Sequence, residues 1–319
     1  MCMEPRVIAV VGPTASGKSD LGMALAGRLG GEIVCMDSMQ IYRRMDIGTA
    51  KPTAVERAAV PHHMLDIVDP EQPYAVADYV QAAGQVIAGI AARGKVPILV
   101  GGTGLYLKAM MDGLPLGGAG GDERLRAELN AMADAPGGLE RLHARLSAID
   151  PETASRLHPN DRRRVIRAIE VYEQTGIALS RQNQRTQGSD LRVLPLALDW
   201  PREALYRRLE ARVHRMMAQG LAQEVRALME SGVSPTAQSM QGIGYKEMVP
   251  AVMGECGMED AAWKIIVHTR HYAKRQGTWL RGEPRCVWLD ARDSDGLFVK
   301  ALEYAQAFLE GAGTDERDH

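Results

Sequence analysis

Residues 12–19, Gly12, Pro13, Thr14, Ala15, Ser16, Gly17, Lys18 and Ser19, carry the G-x-x-x-x-G-K-[ST] spacing. Glycines at these places permit tight turns and close backbone approach, so the loop N–H groups and a following helix N-terminus present a concave positive dipole to a di- or triphosphate. Lys18 adds a point charge, and Ser19 offers a hydroxyl to Mg²⁺. An apolar run, residues 6–11, precedes the loop and a helical run, residues 20–29, follows it, which is the context this motif needs. Kinases, ATPases and other transferases share such a loop, so by itself it specifies only a polyphosphate ligand.

A second apolar run, residues 32–36, ends at Asp37, on the rim where ligands of open α/β sheets collect. Three roles are open to that carboxylate: a catalytic base, a Mg²⁺-linked carboxylate, or a cap on the turn. Residues 37–42 and 46–52 are rich in small and hydrogen-bonding side chains, as a polar-edged ligand such as a nucleobase requires. A third run, residues 96–100, leads into Gly101, Gly102 and Thr103, where backbone can approach a ligand closely and Thr103 supplies a hydroxyl. The alternative role for those glycines is only to pack strand against helix. The three strand ends are expected to converge on one cleft.

The elements behind these ends follow from pattern. Unbroken β-branched runs separated by helical stretches read as buried parallel strands, with further strands expected at residues 193–198 and 287–289. The glycine cluster Gly117, Gly118, Gly120 and Gly121 suits a junction. From Asp122 to about Gln184 the pattern is helical, with Leu125, Leu129 and Met132 on one face and Val165, Ile169 and Tyr172 on another. The expected fold is α/β: a P-loop NTPase-like parallel sheet flanked by helices, with an all-helical insertion domain. Residues 1–118 form the first part of the core, 119–190 the insertion, and 191–319 the rest of the core with basic C-terminal helices. Amphipathic helices are expected at residues 202–230 and 258–280, and the polar tail, residues 311–319, is expected to fray.

At 319 residues, with 45% hydrophobic and 24% charged, the chain is long and apolar enough for a sizeable core, which excludes disorder as its main state. Its 38 basic and 40 acidic residues sum to −2, so no global positive field advertises a nucleic-acid partner. Local stretches do. Arg156, Arg162, Arg163, Arg164 and Arg167 face only Asp161 and Glu170 in sequence, and residues 264–285 hold six Lys or Arg against Glu283, with Tyr272 and Trp279 interleaved. Phosphates on such stripes and bases on such aromatics read as RNA, against the bland alternative of solvated helix faces. Cys2, Cys35, Cys256 and Cys286 form no C-x-x-C pair, which fits a reducing cytoplasm, and no apolar run approaches the roughly 20 residues of a membrane span. No signal peptide is expected. His62 and His63 read as loop residues without a shared metal, since neighbours on an extended segment point apart. Met216, Met217 and Met229 read as core filling, and Arg207, Arg208 and Arg215 as a solvated helix face.

Taken in order, residues 12–19, Asp37 and Ser38 with Gln40, Ile41 and Tyr42, residues 46–52, Gly101 to Thr103, His158-Pro159-Asn160-Asp161, Gly244 and Tyr245, and Lys274-Arg275-Gln276-x-Thr278-Trp279-Leu280-Arg281 resemble the bacterial tRNA dimethylallyltransferases over almost the whole chain. The resemblance implies transfer of a dimethylallyl group from dimethylallyl diphosphate to N6 of the adenosine immediately 3′ of the anticodon, with Mg²⁺ as cofactor and the tRNA anticodon stem-loop as partner. It implies a cytoplasmic protein, expected to be monomeric and away from membranes. Residues 12–19 and Arg212, in a Glu-x-Arg-x-His setting, would bind the diphosphate, with Ser19 on Mg²⁺ directly or through diphosphate and water. Asp37 would orient N6 and accept its proton, Thr14 and Thr103 would position the reactants, and Arg212 would steady the leaving group. Asp37, Ser38, Met39, Gln40, Thr103, Arg126, Arg163, Arg164 and Arg167 would contact tRNA. So would Gln241, Gly242, Ile243, Gly244, Tyr245 and Lys246, together with Lys274, Arg275, Gln276, Gly277, Thr278, Trp279, Leu280 and Arg281. Gly104 and Gly277 stand where a relative can carry a larger side chain. The rival readings are an isopentenyltransferase acting on free adenine nucleotides, a P-loop small-molecule kinase, and a non-enzymatic RNA-binding module.

Overall fold

A computed structural model of the chain describes residues 4–113, 122–184 and 189–311. The glycine cluster around Gly117, the tail beyond Gly311 and Cys2 lie outside them. Contacts divide the chain into two compact units, Met1–Met111 with Asp190–His319, and Asp112–Ser189.

In the first unit the chain runs β1 (Arg6–Val11), α1 (Lys18–Leu29), β2 (Gly31–Met36), α2 (Ala54–Ala59), β3 (His62–His63), α3 (Val76–Ala92), β4 (Val96–Gly101) and α4 (Gly104–Asp112), the last residue of α4 falling in the second unit. The strands form a six-stranded parallel sheet in the order β3-β2-β4-β1-β5-β6, with β5 (Arg192–Asp199) and β6 (Val287–Asp290) supplied from the far end of the chain. All five expected apolar runs are therefore strands. Covered on both faces, β1 alternates between two cores. Val7, Ala9 and Val11 pack with Tyr79, Ala83 and Ile87 of α3, whereas Ile8 and Val10 pack with Leu21 and Leu25 of α1. Fully burying each Val, Leu or Ile side chain among these contributes roughly 1.5–3 kcal/mol.

Register sets the site. Val11 lies opposite both Gly101 and Ala197, and Met36 opposite Gly101, so β1, β2, β4 and β5 end level and their loops leave from one edge. His62 and His63 correct the loop expectation: they pair with Ile33 and Val34 as an edge strand, too short to show a periodicity. His63 meets Glu32 at 2.7 Å, and no metal-binding cluster occurs among the described residues.

The long helical pattern after β5 is broken at Gly220, whose φ of +100° ends α10 (Arg202–Gln219) before α11 (Leu221–Glu230). These two helices, with α12 (Tyr245–Val252) and α13 (Met258–Arg281), enclose a further core of Val213, Leu221, Met240, Met248 and Ile265 around Ile41, Tyr42 and Met45. Helix α14 (Ser294–Glu310) covers the sheet beside α1.

The second unit is helical: α5 (Glu123–Asp134), α6 (Gly138–Ile149), α7 (Pro151–Arg156), α8 (Arg162–Thr175) and α9 (Leu179–Gln184). Its core holds Leu129, Ala133, Leu142, Leu146, Val165, Ile166 and Ile169. Met132 corrects the expected α5 face: it is exposed, and Ala133, one helical turn beyond Leu129, takes the inward place.

Candidate active site

The phosphate loop joins β1 to α1, and other elements hold it from outside. Trp200 Nε1 donates to the Ser16 carbonyl at 2.8 Å and Arg208 Nε to that of Ala15 at 2.9 Å, while within the loop Lys18 Nζ donates to the Pro13 carbonyl at 2.7 Å. Ala15 has φ +62°, a left-handed conformation costly for a residue with a Cβ, and its carbonyl is the one Arg208 secures. The Arg208 guanidinium lies 4.6 Å over the Trp200 ring. With its carbonyls tied outward and the first N–H groups of α1 lacking intrahelical acceptors, the loop keeps donors for an anion. Arg208 is exposed, as expected of a solvated face, yet it also secures the loop.

Burial above all, with Arg212 second, pushes the Lys18 amine down to about 7, against the pull of Asp37. A bound diphosphate reverses that balance by pairing with the ammonium. The contribution of Lys18 to the affinity for a diphosphate bound here would therefore be held at low pH and decline as pH rises above about 7. Calorimetry at pH about 8 is expected to show uptake of nearly one more proton by the wild type than by Lys18→Arg, the difference vanishing below pH about 6. Equal uptake by the two proteins would refute a titrating Lys18.

Asp37 follows β2 and turns the chain, its Oδ1 accepting the N–H of Met39 at 2.8 Å and of Gln40 at 3.3 Å. Its Oδ2 takes no hydrogen bond from the described residues. Thr14, Lys18, Ser19, Asp37, Gln40, Gly102, Arg212, Tyr272 and Gln276 line one cavity of about 90 Å³. Arg212, on α10, also lines two larger cavities. One, of about 1050 Å³, runs along the phosphate loop with Lys18, Arg57, Arg208 and Arg215; the other, of about 390 Å³, has apolar walls from Leu209, Val213, Met216 and Ile265 beside Asp37, Ser38, Gln241 and Arg275. Burial opposes the charge of Arg212 and Asp37 supports it; its Nη2 donates to the Thr49 carbonyl at 3.2 Å. Met216, expected as filling, is both core and cavity wall.

The loop bearing Thr49 is held by a residue outside every expected motif. Glu224, on α11, accepts the N–H of Asp46 at 2.9 Å, of Ile47 at 2.8 Å and of Gly48 at 3.1 Å, and the Tyr245 hydroxyl at 2.5 Å. Buried Lys51 ties Asp46 and Asp66, each at 2.6 Å. Thr103 opens α4, its carbonyl accepting the N–H groups of Tyr106 and Leu107; burial pushes the Tyr272 phenol, on the cavity wall, up to about 12. A Cβ on Gly104 would stand 2.5 Å from the Trp279 ring, so a larger residue there requires that ring to move.

Several expected tRNA residues point inward. Leu280 is buried in the sheet core, and Gly277 is buried with it. Gln40 spends its amide on Cys35, Thr49 and Ala50, and buried Tyr245 spends its hydroxyl on Glu224. Gln276 is likewise engaged, with Thr14 and Gly102. Lys274, Arg275, Thr278, Arg281, Gln241 and Lys246 are exposed; Ser38, Met39, Gly242 and Ile243 are half-buried on the wall of the 390 Å³ cavity. In the helical unit, Arg126 and Arg167 converge on buried Glu170, and Arg162 is held by Asn130 and Asp134. Arg164 lies 3.5 Å from Asp161, and exposed Arg163 has no carboxylate partner among the described residues.

Known proteins resemble this chain over most of its length. The family profile described as IPP transferase matches residues 40–283, and that described as isopentenyl transferase matches residues 5–66. The tRNA dimethylallyltransferase of Geobacter metallireducens is 49% identical over 90% of this chain and 93% of its own, and that of Syntrophobacter fumaroxidans 47% over 93% and 86%. The crystal structure of a tRNA isopentenylpyrophosphate transferase from Bacillus halodurans superimposes with a TM-score of 0.73 at 41% identity, covering 96% of this chain and 97% of that one. A eukaryotic dimethylallyltransferase, captured in crystallographic snapshots acting on tRNA, gives 0.81 at 29% identity over 98% and 81%. With a family match over most of its length and close relatives over nearly all of it, this chain belongs to the IPP transferase family, that of the tRNA dimethylallyltransferases.

Proposed function

We propose that this chain transfers the dimethylallyl group of dimethylallyl diphosphate to N6 of the adenosine 3′ of the anticodon in tRNA. The observation that carries the reading is the shared cavity: Asp37 and Arg212 face the same space as Thr14, Lys18 and Ser19 of the phosphate loop. One electron pair is handed across it. The allylic C1–O bond breaks with its electrons going to the diphosphate, the N6–C1 bond forms, and the N6 proton passes to Asp37. N6 is a poor nucleophile because its lone pair is delocalised, so a carboxylate that orients it and removes the proton has direct kinetic value. The charge growing on the diphosphate is met by Lys18, Arg212 and the loop N–H groups. The cationic cavity suits the diphosphate and the apolar-walled one the prenyl chain and purine, with Arg212 at the junction.

The donor set fits Mg²⁺: one hydroxyl from Ser19 and one carboxylate from Asp37 line the same cavity, leaving most positions to diphosphate oxygens and water, as this ion prefers. When bound, it would neutralise charge on the departing diphosphate. Exposed Arg163, Arg164, Lys274, Arg275 and Arg281 pair with RNA phosphates in this reading, and the helical unit is a tRNA-binding one. A monomeric cytoplasmic enzyme is part of it; no helix among the described residues is long and apolar enough to cross a membrane.

Incubation with unmodified tRNA, labelled dimethylallyl diphosphate and Mg²⁺, followed by nucleoside analysis, should give N6-dimethylallyladenosine. Label on AMP but not tRNA would move the protein to the free-nucleotide class, and phosphate transfer from ATP to a metabolite would make it a kinase. Replacing Arg163 and Arg164 together by alanine should raise KM for tRNA and reduce the salt slope by about 0.7–0.9 for each phosphate no longer neutralised. An unchanged slope would return both arginines to the solvated face.

A further inference from the structure

We infer that Gln276 is a positioning residue and not an RNA contact: it ties the phosphate loop to the loop after β4 and thereby holds Thr14 in register with Asp37. The inference rests on the alkyl-transfer reading for what Thr14 and Asp37 do, but the tie itself is visible without it. Gln276 lies on the inner side of α13 with 8% of its surface exposed. Its Oε1 accepts the Thr14 N–H at 2.9 Å and its Nε2 donates to the Gly102 carbonyl at 2.8 Å.

The partners fix the amide's orientation, since a backbone N–H only donates and a carbonyl only accepts; the flipped amide would set donor against donor and acceptor against acceptor. The seat is also tight. A Cβ on Gly102 would lie 2.3 Å from Gln276 Nε2, so the middle glycine of Gly101-Gly102-Thr103 is the residue that lets the amide in. Tyr272, one turn earlier on the same helix, lines the same cavity as Gln276. With its acceptor and donor ends both engaged and its side chain covered, Gln276 has little left to offer RNA. Lys274 and Arg275 are exposed on the same helix, so α13 carries cationic surface outside and the tie inside.

Two variants separate the bonds. Gln276→Met keeps the length and loses both. Gln276→Glu keeps an acceptor for Thr14 N–H but, while ionised, turns a second acceptor on the Gly102 carbonyl. Both full-length variants are expected to lose about tenfold or more in kcat on tRNA, a loss of order 1.4 kcal/mol by the standard conversion. KM for tRNA and the salt slope of tRNA binding should stay at wild-type values. Inorganic diphosphate, titrated by calorimetry without RNA, should bind several-fold more weakly. For Gln276→Glu that deficit, taken relative to wild type, should shrink as pH falls from about 8 to about 5.5, because burial against the Gly102 carbonyl raises the carboxyl above its ordinary value and, once protonated, it regains the donor for Gly102. Wild-type turnover and diphosphate affinity in both variants, or a rise in KM for tRNA with kcat unchanged, overturns the inference. Should Gln276→Met fail to fold, the pH-dependent diphosphate deficit of Gln276→Glu decides alone. A wild type that binds diphosphate but alkylates no tRNA sinks the proposed function, while the diphosphate arm still judges the tie.

Discussion

Asp37→Ala is expected to lower kcat by ~10² to 10⁴ while leaving affinity for diphosphate nearly intact. The physical ground is a division of labour within one carboxylate. Oδ1 is spent on the N–H groups of Met39 and Gln40, Oδ2 takes no hydrogen bond from the described residues, and the residue lines the cavity shared with the phosphate loop. Asp37→Asn sharpens the test, because its amide oxygen can still accept the two N–H groups while its NH₂ cannot take a proton. A base predicts that both variants are slow, and a mere cap predicts that Asn restores turnover. A carboxylate needed chiefly for the ion would instead show a shifted Mg²⁺ requirement in the Asn variant. Near-wild-type kcat in both, measured on tRNA at saturating substrates, removes Asp37 from the chemistry.

For Arg212→Ala the expected loss is about 10² to 10³ in kcat/KM for the allylic diphosphate, the scale of a preorganised charge removed from a growing anion. Arg212 forms no ion pair with a carboxylate among the described residues; beyond its bond to the Thr49 carbonyl, its guanidinium is held in reserve at the meeting of the cavities. Arg212→Lys should recover little, since a point charge on a flexible stem cannot reproduce a planar fork between two spaces. Unaltered kinetics in the alanine variant would exclude the assignment.

Contiguity decides how much of the site is legible in the sequence. Residues 12–19 act through their own backbone, so spacing alone exposes them, and Asp37 announces itself by ending an apolar run. Arg212 is reached only through its Glu-x-Arg-x-His setting; composition makes it one arginine of a helix face. Glu224, Trp200 and Arg208 leave no comparable trace. Glu224 meets Gly48 from 176 residues away, Trp200 meets Ser16 from 184, and Arg208 meets Ala15 from 193. No local period encodes which side chain turns inward at such separations. The same blindness assigns Gln276, Tyr245 and Leu280 outward roles, because a motif records which residue stands where and not the direction of its side chain.

The phosphate loop lies at the beginning of the chain, yet the groups that fasten it come much later, Gln276 being 262 residues beyond Thr14. During synthesis the ribosome releases β1 long before β5, α10 or α13 exists, so the emerging protein carries the motif without its fastenings. Competence to grip an anion therefore arrives near the end of translation, and a chain stopped before α13 has the signature of the site but not its shape.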